Sequence, residues 1–538
     1  MIFTHRKHYI YILIFALIFN ACKDEKKNNS NIFYYNEDAG ITSLDPAFAK
    51  DQSNIWAVNQ LYNGLIQLDS TLLVKPCIAK RWEISPDGFI YTFYLKNDIY
   101  FHEDKCFKNK RKLTAHDIAY SFKRLVDPKT ASPGSWIFND KTDSRSFMAE
   151  NDSTFKIKLT KAFPPLLGLL SMPYCFIVPQ EAVTLYGKDF RAHPIGTGPF
   201  KMKAWQEGNR LVLIKNKEYF EEDAKGNKLP YLDGIMVSFM ESKQAAFFEF
   251  IKGKLDFVNG LESSFKDEIL TNKGTLRDKY HQKFKLVVGP YLNTEYLGIL
   301  VDDTNALYIQ SPFKQAKFRE AISLAIDRKK MITYLRNGVG NTDIQGFVPT
   351  ALLPDSDNQS TLYNPELSKK LLQEIKYNHS SIKINTTKNY LDLTIYIQHE
   401  LEAVGIKSTI EVNPGSTHRE MVSKSQMNFF RGSWIADYPD AENYLSLFYS
   451  KNHAPVGPNT THFKNLRFDQ LYEEAMRTIY IEKRVELYKQ MNKIVTEQNP
   501  VITLFYDQSI RLVQNNIYQL ETNPMNLLVL KNVKKVNP

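Results

Sequence analysis

A cation, a large aromatic side chain and an anion lie within one short stretch of the chain. The segment reads Arg431-Gly-Ser-Trp434-Ile-Ala-Asp437-Tyr438. An arginine can bind a carboxylate through two parallel hydrogen bonds, and an aspartate can bind an ammonium group, so the stretch could hold both ends of a short peptide. The same composition is also typical of a strand that enters a turn, because Pro439 and its aspartate neighbours are turn-forming residues.

Catalytic chemistry finds little support in the sequence. The chain contains no Gly-x-Ser-x-Gly, His-Glu-x-x-His or Gly-x-x-x-x-Gly-Lys motif, and His399-Glu400 lacks the second histidine of a zinc site. Asp437 and Asp440 could imitate a pair of catalytic acids, but the proline turn gives a structural reason for both. We therefore expect no enzyme, no cofactor and no metal site, and we keep a secreted hydrolase as the less favoured alternative.

The first 31 residues predict export and anchoring. A basic start at Arg6 and Lys7 precedes an apolar run too short to span a bilayer, and a lipobox-like Phe-Asn-Ala-Cys ends at Cys22. We expect a lipoprotein signal peptide over 1–21, acylation of Cys22, and a flexible polar tether over 22–31. The alternative is an uncleaved anchor. The longest later apolar stretch, Phe163–Val178, is interrupted by prolines and predicts a buried strand and turn.

The charge distribution and the cysteine content argue against a nucleic-acid-binding protein and a zinc-binding protein. The net charge is +10, and removal of Arg6 and Lys7 with the signal would leave +8. The lysines are scattered rather than clustered with aromatic residues, which favours a solvated surface over a nucleic-acid interface. Apart from Cys22 the chain has three cysteines, so at most one disulfide can form among them, and no spacing suits zinc.

The hydrophobic patterns alternate between helical and strand periods, which predicts a mixed α/β fold. Apolar residues recur at helical spacing from Phe318 to Ile332, and Asn364 before a proline predicts a helix cap. Gly196 and Gly198 predict a turn that needs backbone freedom, and no Gly-Lys-Ser/Thr follows them to form a phosphate loop. The other predicted elements are strand Ile90–Leu95 after the turn Ser85–Gly88, helices Leu391–Val404 and Arg484–Glu497, and strands Ile406–Val412 and Val501–Phe505.

Several segments resemble one family when they are taken together and in order. The chain resembles the large extracytoplasmic solute-binding proteins of ABC importers, the group that includes oligopeptide- and dipeptide-binding proteins. The matching segments cover most of the chain after the tether: Ser43–Pro46 with Leu61–Leu65, Ile78–Phe101 with Leu113–Arg124, Pro194–Phe200 with Asn216–Phe220, Phe318–Arg328, and Arg431–Tyr444 with Arg484–Phe505.

The resemblance implies a periplasmic-binding-protein-like α/β fold with two lobes, an extra domain and three domains in all. It places domain I of lobe 1 in three pieces, a separate domain II, and domain III in lobe 2. The implied limits are 32–57, 186–283 and 507–538 for domain I, 58–185 for domain II, and 284–506 for domain III. Such lobes close on a ligand about a hinge.

The resemblance also implies roles for individual residues. Asp437 would bind the ammonium end of a peptide, Arg431 would bind the carboxylate of a shorter one, and Trp434 and Tyr438 would contact the ligand. The partners implied are a short peptide, the permease subunits of an ABC importer and, through the lipid on Cys22, a membrane on its periplasmic side. We expect a monomer. Relatives with the same fold bind metal chelates, haem, saccharides or opines, and these ligands remain alternatives.

Overall fold

The computed structural model describes residues 31–354 and 363–536, so the predicted signal peptide, Cys22 and nearly all of the tether lie outside the described residues. Eighteen strands are found in this part of the chain. They are β1 Ile32–Asn36, β2 Ile66–Leu68, β3 Val74–Pro76, β4 Ala79–Ile84, β5 Ile90–Leu95, β6 Phe147–Asn151, β7 Thr154–Lys158, β8 Phe200–Gln206, β9 Arg210–Lys215, β10 Gly234–Ser238, β11 Phe257–Asn259, β12 Phe284–Ile299, β13 Ile382–Thr387, β14 Ser408–Asn413, β15 Phe429–Ile435, β16 Val501–Gln514, β17 Ile517–Tyr518 and β18 Lys534–Lys535.

Helices alternate with these strands along the described chain. They are α1 Gln52–Leu61, α2 Ala115–Val126, α3 Leu166–Leu170, α4 Gln180–Tyr186, α5 Lys243–Ile251, α6 Ser263–Ile269, α7 Ala306–Ile309, α8 Ala316–Ala325, α9 Arg328–Leu335, α10 Pro365–Glu374, α11 Leu391–Ala403, α12 Gly415–Ser423, α13 Glu442–Leu445, α14 Leu466–Ala475 and α15 Ile481–Gln498. Within residues 31–354 and 363–536, no helix is both long and apolar enough to cross a bilayer.

Elements with local sequence signals form where they were expected. Strand β5 has the predicted limits, and the Asn364 side chain accepts a hydrogen bond from the Leu367 N–H at 3.0 Å, which caps α10. The predicted helix from Phe318 to Ile332 is two helices, α8 and α9, separated at Ile326–Asp327. The prediction of a strand over Phe163–Val178 is wrong, because this stretch forms α3 and a short 3-10 helix over Pro173–Cys175.

One ten-stranded sheet runs through the molecule in the order β14-β13-β15-β12-β16-β11-β1-β10-β9-β8. Its two longest strands, β12 and β16, are neighbours and pair antiparallel at both of their ends. The register between them shifts from Pro290↔Gln508 to Thr294↔Tyr506. Strand β11 pairs with β16 on one side of this shift, and β15 pairs with β12 on the other. Two strands therefore join the two halves of the sheet, which makes their irregular middle a place where the halves can bend.

Each half of the sheet supports its own hydrophobic core. A cluster around Trp56, Phe93 and Phe122 includes the four-stranded sheet β4-β5-β7-β6, and two clusters around Phe429 and Phe448 lie beyond the register shift. Phe284 at the start of β12 packs in a fourth cluster with α5, on the same side of the shift as β11. The change of partners along β12 thus lies a few residues after the predicted limit at 283–284, and the domain limits remain predictions.

Gly196 and Gly198 have a different role from the predicted one. Neither has a positive φ, so backbone freedom is not what they provide. A Cβ on Gly196 would lie 2.1 Å from the Leu61 carbonyl oxygen, and one on Gly198 would lie 2.3 Å from the Leu61 carbonyl carbon. Both glycines are needed because the end of α1 passes directly against their backbone.

We expect Gly198→Ala to lower the free energy of unfolding by about 3 kcal/mol, because the new methyl group would overlap rigid backbone rather than a movable side chain. Chemical denaturation measures this change. The matched control is Gly168→Ala in α3, where the nearest atom to an added Cβ lies 3.6 Å away. The explanation is contradicted if the two alanine variants are equally stable.

Candidate functional site

Arg431 lies on β15 with its guanidinium buried and ion-paired. Its Nη2 donates a hydrogen bond to Oε2 of Glu295 on the neighbouring strand β12. The side chains are 10% and 2% exposed, so both ions have lost nearly all of their hydration. Burial raises the pKa of the Glu295 carboxyl, and the Arg431 charge acts in the opposite direction. Each ion therefore depends on the other for compensation.

A stacked ring and a second carboxylate extend this pair toward the irregular middle of β12 and β16. The Arg431 guanidinium carbon lies 3.2 Å from the Tyr390 ring centroid. The Asn293 amide nitrogen lies 3.2 Å from Oε1 of Glu295 and 3.3 Å from Oδ2 of Asp507. The other carboxylate oxygen of Asp507, Oδ1, accepts a hydrogen bond from Arg336 at 2.8 Å. Hydrogen-bonded polar side chains thus connect Arg431 with Asp507, at the point where the two halves of the ten-stranded sheet meet.

Asp437 follows β15 and remains without a cation. Its side chain is exposed, and no Lys or Arg in residues 31–354 or 363–536 forms an ion pair with it. Reduced hydration nevertheless raises the pKa of the Asp437 carboxyl, while a hydrogen bond with Asn443 acts against that rise. An accessible carboxylate with protein on several sides is what the wall of an open cleft presents.

The surroundings of Asp437 include the predicted domain II. Burial is the main cause that raises the pKa of Tyr174 to about 12, and the negative charges of Asp437 and Asp51 contribute to the rise. Tyr174 follows α3 and packs against the cluster around Trp56, so an aromatic ring from the predicted domain II lies within electrostatic reach of the Asp437 carboxylate from the predicted domain III. Asp437 therefore stands near the boundary of the two lobes.

Tyr438, expected to contact the ligand, packs between the two predicted lobes in this structure. The residue is 5% exposed and belongs to the lobe 1 cluster. Its ring centroid lies 6.3 Å from that of Trp136, and its hydroxyl donates to the buried Glu442. In this structure the hydroxyl is committed within the protein, so Tyr438 contributes a contact between lobes rather than an open polar group.

Trp434 is partly buried and oriented by an asparagine. Its indole N–H donates to Oδ1 of Asn443 at 2.9 Å, and the same oxygen lies 3.3 Å from the Asp437 backbone nitrogen. Asn443 is 4% exposed and lies in the short helix α13. One buried amide therefore fixes both the indole and the backbone from which the Asp437 carboxylate projects.

A cavity of 590 Å³ opens beside Arg431, Trp434 and Tyr390. Its volume falls in the range of about 300–1,000 Å³ that small-molecule sites occupy. Its walls come from the loop after β13, the end of β14 with the start of α12, and β15. The cavity combines aromatic surface with polar groups, which suits a ligand that has both characters.

Sequence reasoning missed the residues that complete this site. Glu295 lies in the strand sequence Leu292-Asn-Thr-Glu-Tyr-Leu297, where an acid among buried apolar residues is itself a signal that a cation lies nearby. Tyr390 and Asn443 gave no comparable signal. The importance of Tyr390 comes from its ring contact with Arg431, and that of Asn443 from its hydrogen bonds with Trp434 and the Asp437 backbone.

No cysteine of the described chain lines this cavity. Cys77, Cys106 and Cys175 are unpaired, and burial raises the pKa of Cys77 to about 12, which disfavours the reactive thiolate. No cluster of three or more His, Cys, Asp or Glu residues suited to a metal ion occurs in the part of the chain that the structure describes.

We expect Glu295→Gln to lower the free energy of unfolding by about 3–5 kcal/mol, because the buried Arg431 charge would lose its counter-ion. Thermal and chemical denaturation measure the change. Glu374→Gln is the control, since its exposed pair with Lys317 should contribute less than about 1 kcal/mol. Equal effects of the two substitutions would contradict the dependence of Arg431 on Glu295.

Comparison with known proteins places these features in a family. The model of bacterial extracellular solute-binding proteins, family 5 (middle), matches residues 74–455. The glutathione-binding protein GsiB of Salmonella choleraesuis (strain SC-B67) is 26% identical over 494 residues, covering 89% of this chain and 90% of that protein. Heme-binding protein A of Haemophilus influenzae (strain Rd) is 25% identical over 508 residues, covering 90% of this chain and 88% of that protein.

The fold agrees with this assignment. The unliganded open form of the periplasmic murein tripeptide binding protein MppA matches with a TM-score of 0.81 and 21% identity, covering 95% of this chain and 98% of MppA. The match confirms the predicted mixed α/β fold of periplasmic binding proteins. The chain belongs to family 5 of the bacterial extracellular solute-binding proteins, which serve ABC importers.

Proposed function

We propose that the protein captures short peptides between its two lobes and delivers them to the permease of an ABC importer, with Asp437 binding the ammonium end of the peptide. The observation that carries this proposal is an accessible carboxylate near the lobe boundary that forms no ion pair with a Lys or Arg of the described chain. The chain acts as a binding protein without catalysis. It is a monomer attached by lipid on Cys22 to a membrane facing the periplasm.

Electrostatics favour a ligand with a positive end at Asp437. The termini are the features that all short peptides share, so a fixed carboxylate recognises a peptide whatever its side chains are. Closure of the lobes would remove water from this carboxylate and strengthen its attraction for an ammonium group, provided that the group arrives to replace the lost hydration. Tyr174 lies in the opposing lobe and would form part of the enclosure.

Arg431 has a more limited role than that of a free carboxylate receptor. Glu295 already neutralises most of its charge, and the Tyr390 ring covers one face of the guanidinium. Its remaining N–H groups orient the ligand by hydrogen bonds, and it lines the cavity beside Trp434. We propose Arg431, Trp434 and Tyr438 as ligand contacts, with Tyr438 also packing between the lobes.

The relatives support a peptide ligand but also name an alternative. GsiB is named for glutathione and MppA for a murein tripeptide, whereas heme-binding protein A is named for haem. Two of these three ligands are short peptides with an ammonium group. Haem has no ammonium group, so the cation-free Asp437 favours a peptide.

We expect Asp437→Asn to weaken the binding of Ala-Ala-Ala about 100-fold, because the ammonium group would lose its counter-ion on closure, at a cost of about 3 kcal/mol. Isothermal titration calorimetry on ligand-free protein measures the affinity. The control is Asp303→Asn, which removes an exposed carboxylate on the surface of lobe 2. Unchanged affinity in Asp437→Asn would remove Asp437 from the site.

The pH dependence of the same titration provides a second readout. Only the ionised carboxylate attracts the ammonium group, so affinity is full between the pKa of Asp437 in the ligand-free protein and that of the peptide amino group, about 8, and falls as the pH drops through the former. Because this pKa is raised above the ordinary value of 3.8, the fall should begin at a higher pH than for a fully hydrated aspartate. An amidated peptide has no terminal carboxyl group, so the ligand itself does not titrate in this acidic range. The affinity of the Asp437→Asn variant should not change with pH there.

A further inference from the structure

Residues 335–341, which follow helix α9, cross the place where the two halves of the ten-stranded sheet meet. Ile332 near the end of α9 packs in the cluster that contains Phe429, on one side of the register shift between β12 and β16. Val339 is 4% exposed and packs in the cluster that contains Phe284, on the other side of the shift. Because these residues reach from one predicted lobe to the other, we call residues 335–341 the hinge strap.

The hinge strap is bonded to β16 at the register shift itself. Asn341 exchanges two backbone hydrogen bonds with Tyr506, at 2.8 and 3.0 Å. The Arg336 guanidinium donates a hydrogen bond to Oδ1 of Asp507, the next residue of β16, at 2.8 Å. A bend of the sheet at this shift therefore moves the strap relative to at least one of the lobes.

The first half of the strap is fixed to α9. The backbone N–H groups of Arg336 and Gly338 both donate to the Ile332 carbonyl oxygen, at 3.0 and 3.1 Å. Asn337 and Gly338 have φ angles of +52° and +77°, a conformation that glycine adopts readily and asparagine tolerates. This tight turn holds Leu335 and Asn337 against the end of α9, so both residues move with lobe 2.

Two side chains of α6, in the predicted domain I, hold the same turn from lobe 1. Lys266 Nζ donates a hydrogen bond to the Leu335 carbonyl oxygen at 2.6 Å. The side-chain nitrogen of Asn337 donates to Oδ1 of Asp267 at 2.8 Å. Both hydrogen bonds join the two lobes, and a hydrogen bond of this length is lost when its atoms separate by more than about half an ångström.

Close backbone packing accompanies these two bonds. A Cβ on Gly338 would lie 2.7 Å from the Lys273 carbonyl carbon, so the turn after α6 leaves no room for a side chain there. Asn337 is 8% exposed, which partly shields its hydrogen bond with Asp267 from water. The strap therefore fits closely against lobe 1 in the arrangement of the lobes that the structure shows.

That arrangement is accessible to a ligand. Asp437 is exposed in it, and the cavity beside Arg431 is open. Rotation of one lobe toward the other would move α6 relative to α9, and the two hydrogen bonds that join them through the strap would stretch or break. Contacts that exist in the open arrangement and are lost on closure stabilise the open arrangement.

We propose that the hinge strap holds the lobes apart until a ligand binds, and that closure releases Lys266 and Asp267 from it. The inference rests on the proposed capture of a ligand by closure of the lobes and does not depend on which ligand is captured. Part of the binding free energy is used to release the strap, so the strap lowers the affinity for every ligand by the same factor. In return it keeps the empty cleft open to an entering ligand.

The double variant Lys266→Ala/Asp267→Ala removes both bonds from the lobe 1 side and leaves the net charge unchanged. We expect its radius of gyration without ligand to be smaller than that of the ligand-free native protein, because more molecules close spontaneously. Small-angle X-ray scattering measures the radius, and the native protein saturated with Ala-Ala-Ala gives the closed reference. The control, Glu268→Ala/Lys279→Ala, removes a 2.7 Å ion pair that lies within lobe 1 and should keep the native radius.

The affinity for Ala-Ala-Ala provides a second readout. The double variant should bind this peptide about fivefold more tightly than the control does, because a larger fraction of it is closed before binding. Isothermal titration calorimetry measures both affinities. An equal radius or an equal affinity in the double variant and the control overturns the hinge strap and leaves peptide capture intact.

The native protein tests the proposed function separately. If it binds Ala-Ala-Ala without becoming more compact, capture by closure of the lobes is wrong, and the strap is wrong with it. If Ala-Ala-Ala does not bind the native protein, the result counts against the proposed peptide ligand, and the radii of the ligand-free proteins alone decide whether the strap holds the lobes apart.

Discussion

A buried guanidinium requires a carboxylate beside it, and the pairing of Arg431 with Glu295 satisfies this requirement in the wall of the site. The two residues lie on adjacent strands, so the register of β12 against β15 fixes their contact. Asn293 and Asp507 continue the polar chain to the place where β12 and β16 change partners. The electrostatics of the site and the geometry between the lobes therefore depend on the same few buried groups.

Because Glu295 neutralises Arg431 within the protein, the other charged side chains near the site are left to act on a ligand. Asp437 is left as an accessible anion near the boundary of the lobes, and Lys388 and Arg419 are left as cations at the rim of the cavity. A zwitterionic ligand complements both. Under the proposed function, this separation of opposite charges would let a site with an internally compensated arginine favour a peptide over a ligand with one kind of charge.

Local signals made much of the fold predictable from the sequence. The Asn364 cap and the alternation in Ile90–Leu95 depend on neighbouring residues, and both were predicted correctly. The Phe163–Val178 stretch was mispredicted because a short apolar run does not distinguish a buried strand from a short helix. The residue types of the segment Arg431–Asp437 suggested a charged ligand but equally fitted a strand entering a turn, and the roles expected of Arg431 and Asp437 came from the family resemblance.

Long-range contacts could not be predicted in the same way. Glu295 is 136 residues from Arg431 in the chain, and the close approach of Leu61 that requires Gly196 depends on the packing of α1. The burial of Tyr438 likewise follows from contacts with the other lobe. Residue types indicated which chemistry was available, whereas the partners of each residue depended on the tertiary structure.

Capture of a peptide is tested most directly by native mass spectrometry of the protein as purified, followed by denaturation and identification of the molecules released. The account predicts short peptides with a free amino terminus, released in much smaller amount from the Asp437→Asn variant. Release of haem, a saccharide or a metal chelate in stoichiometric amount would contradict it.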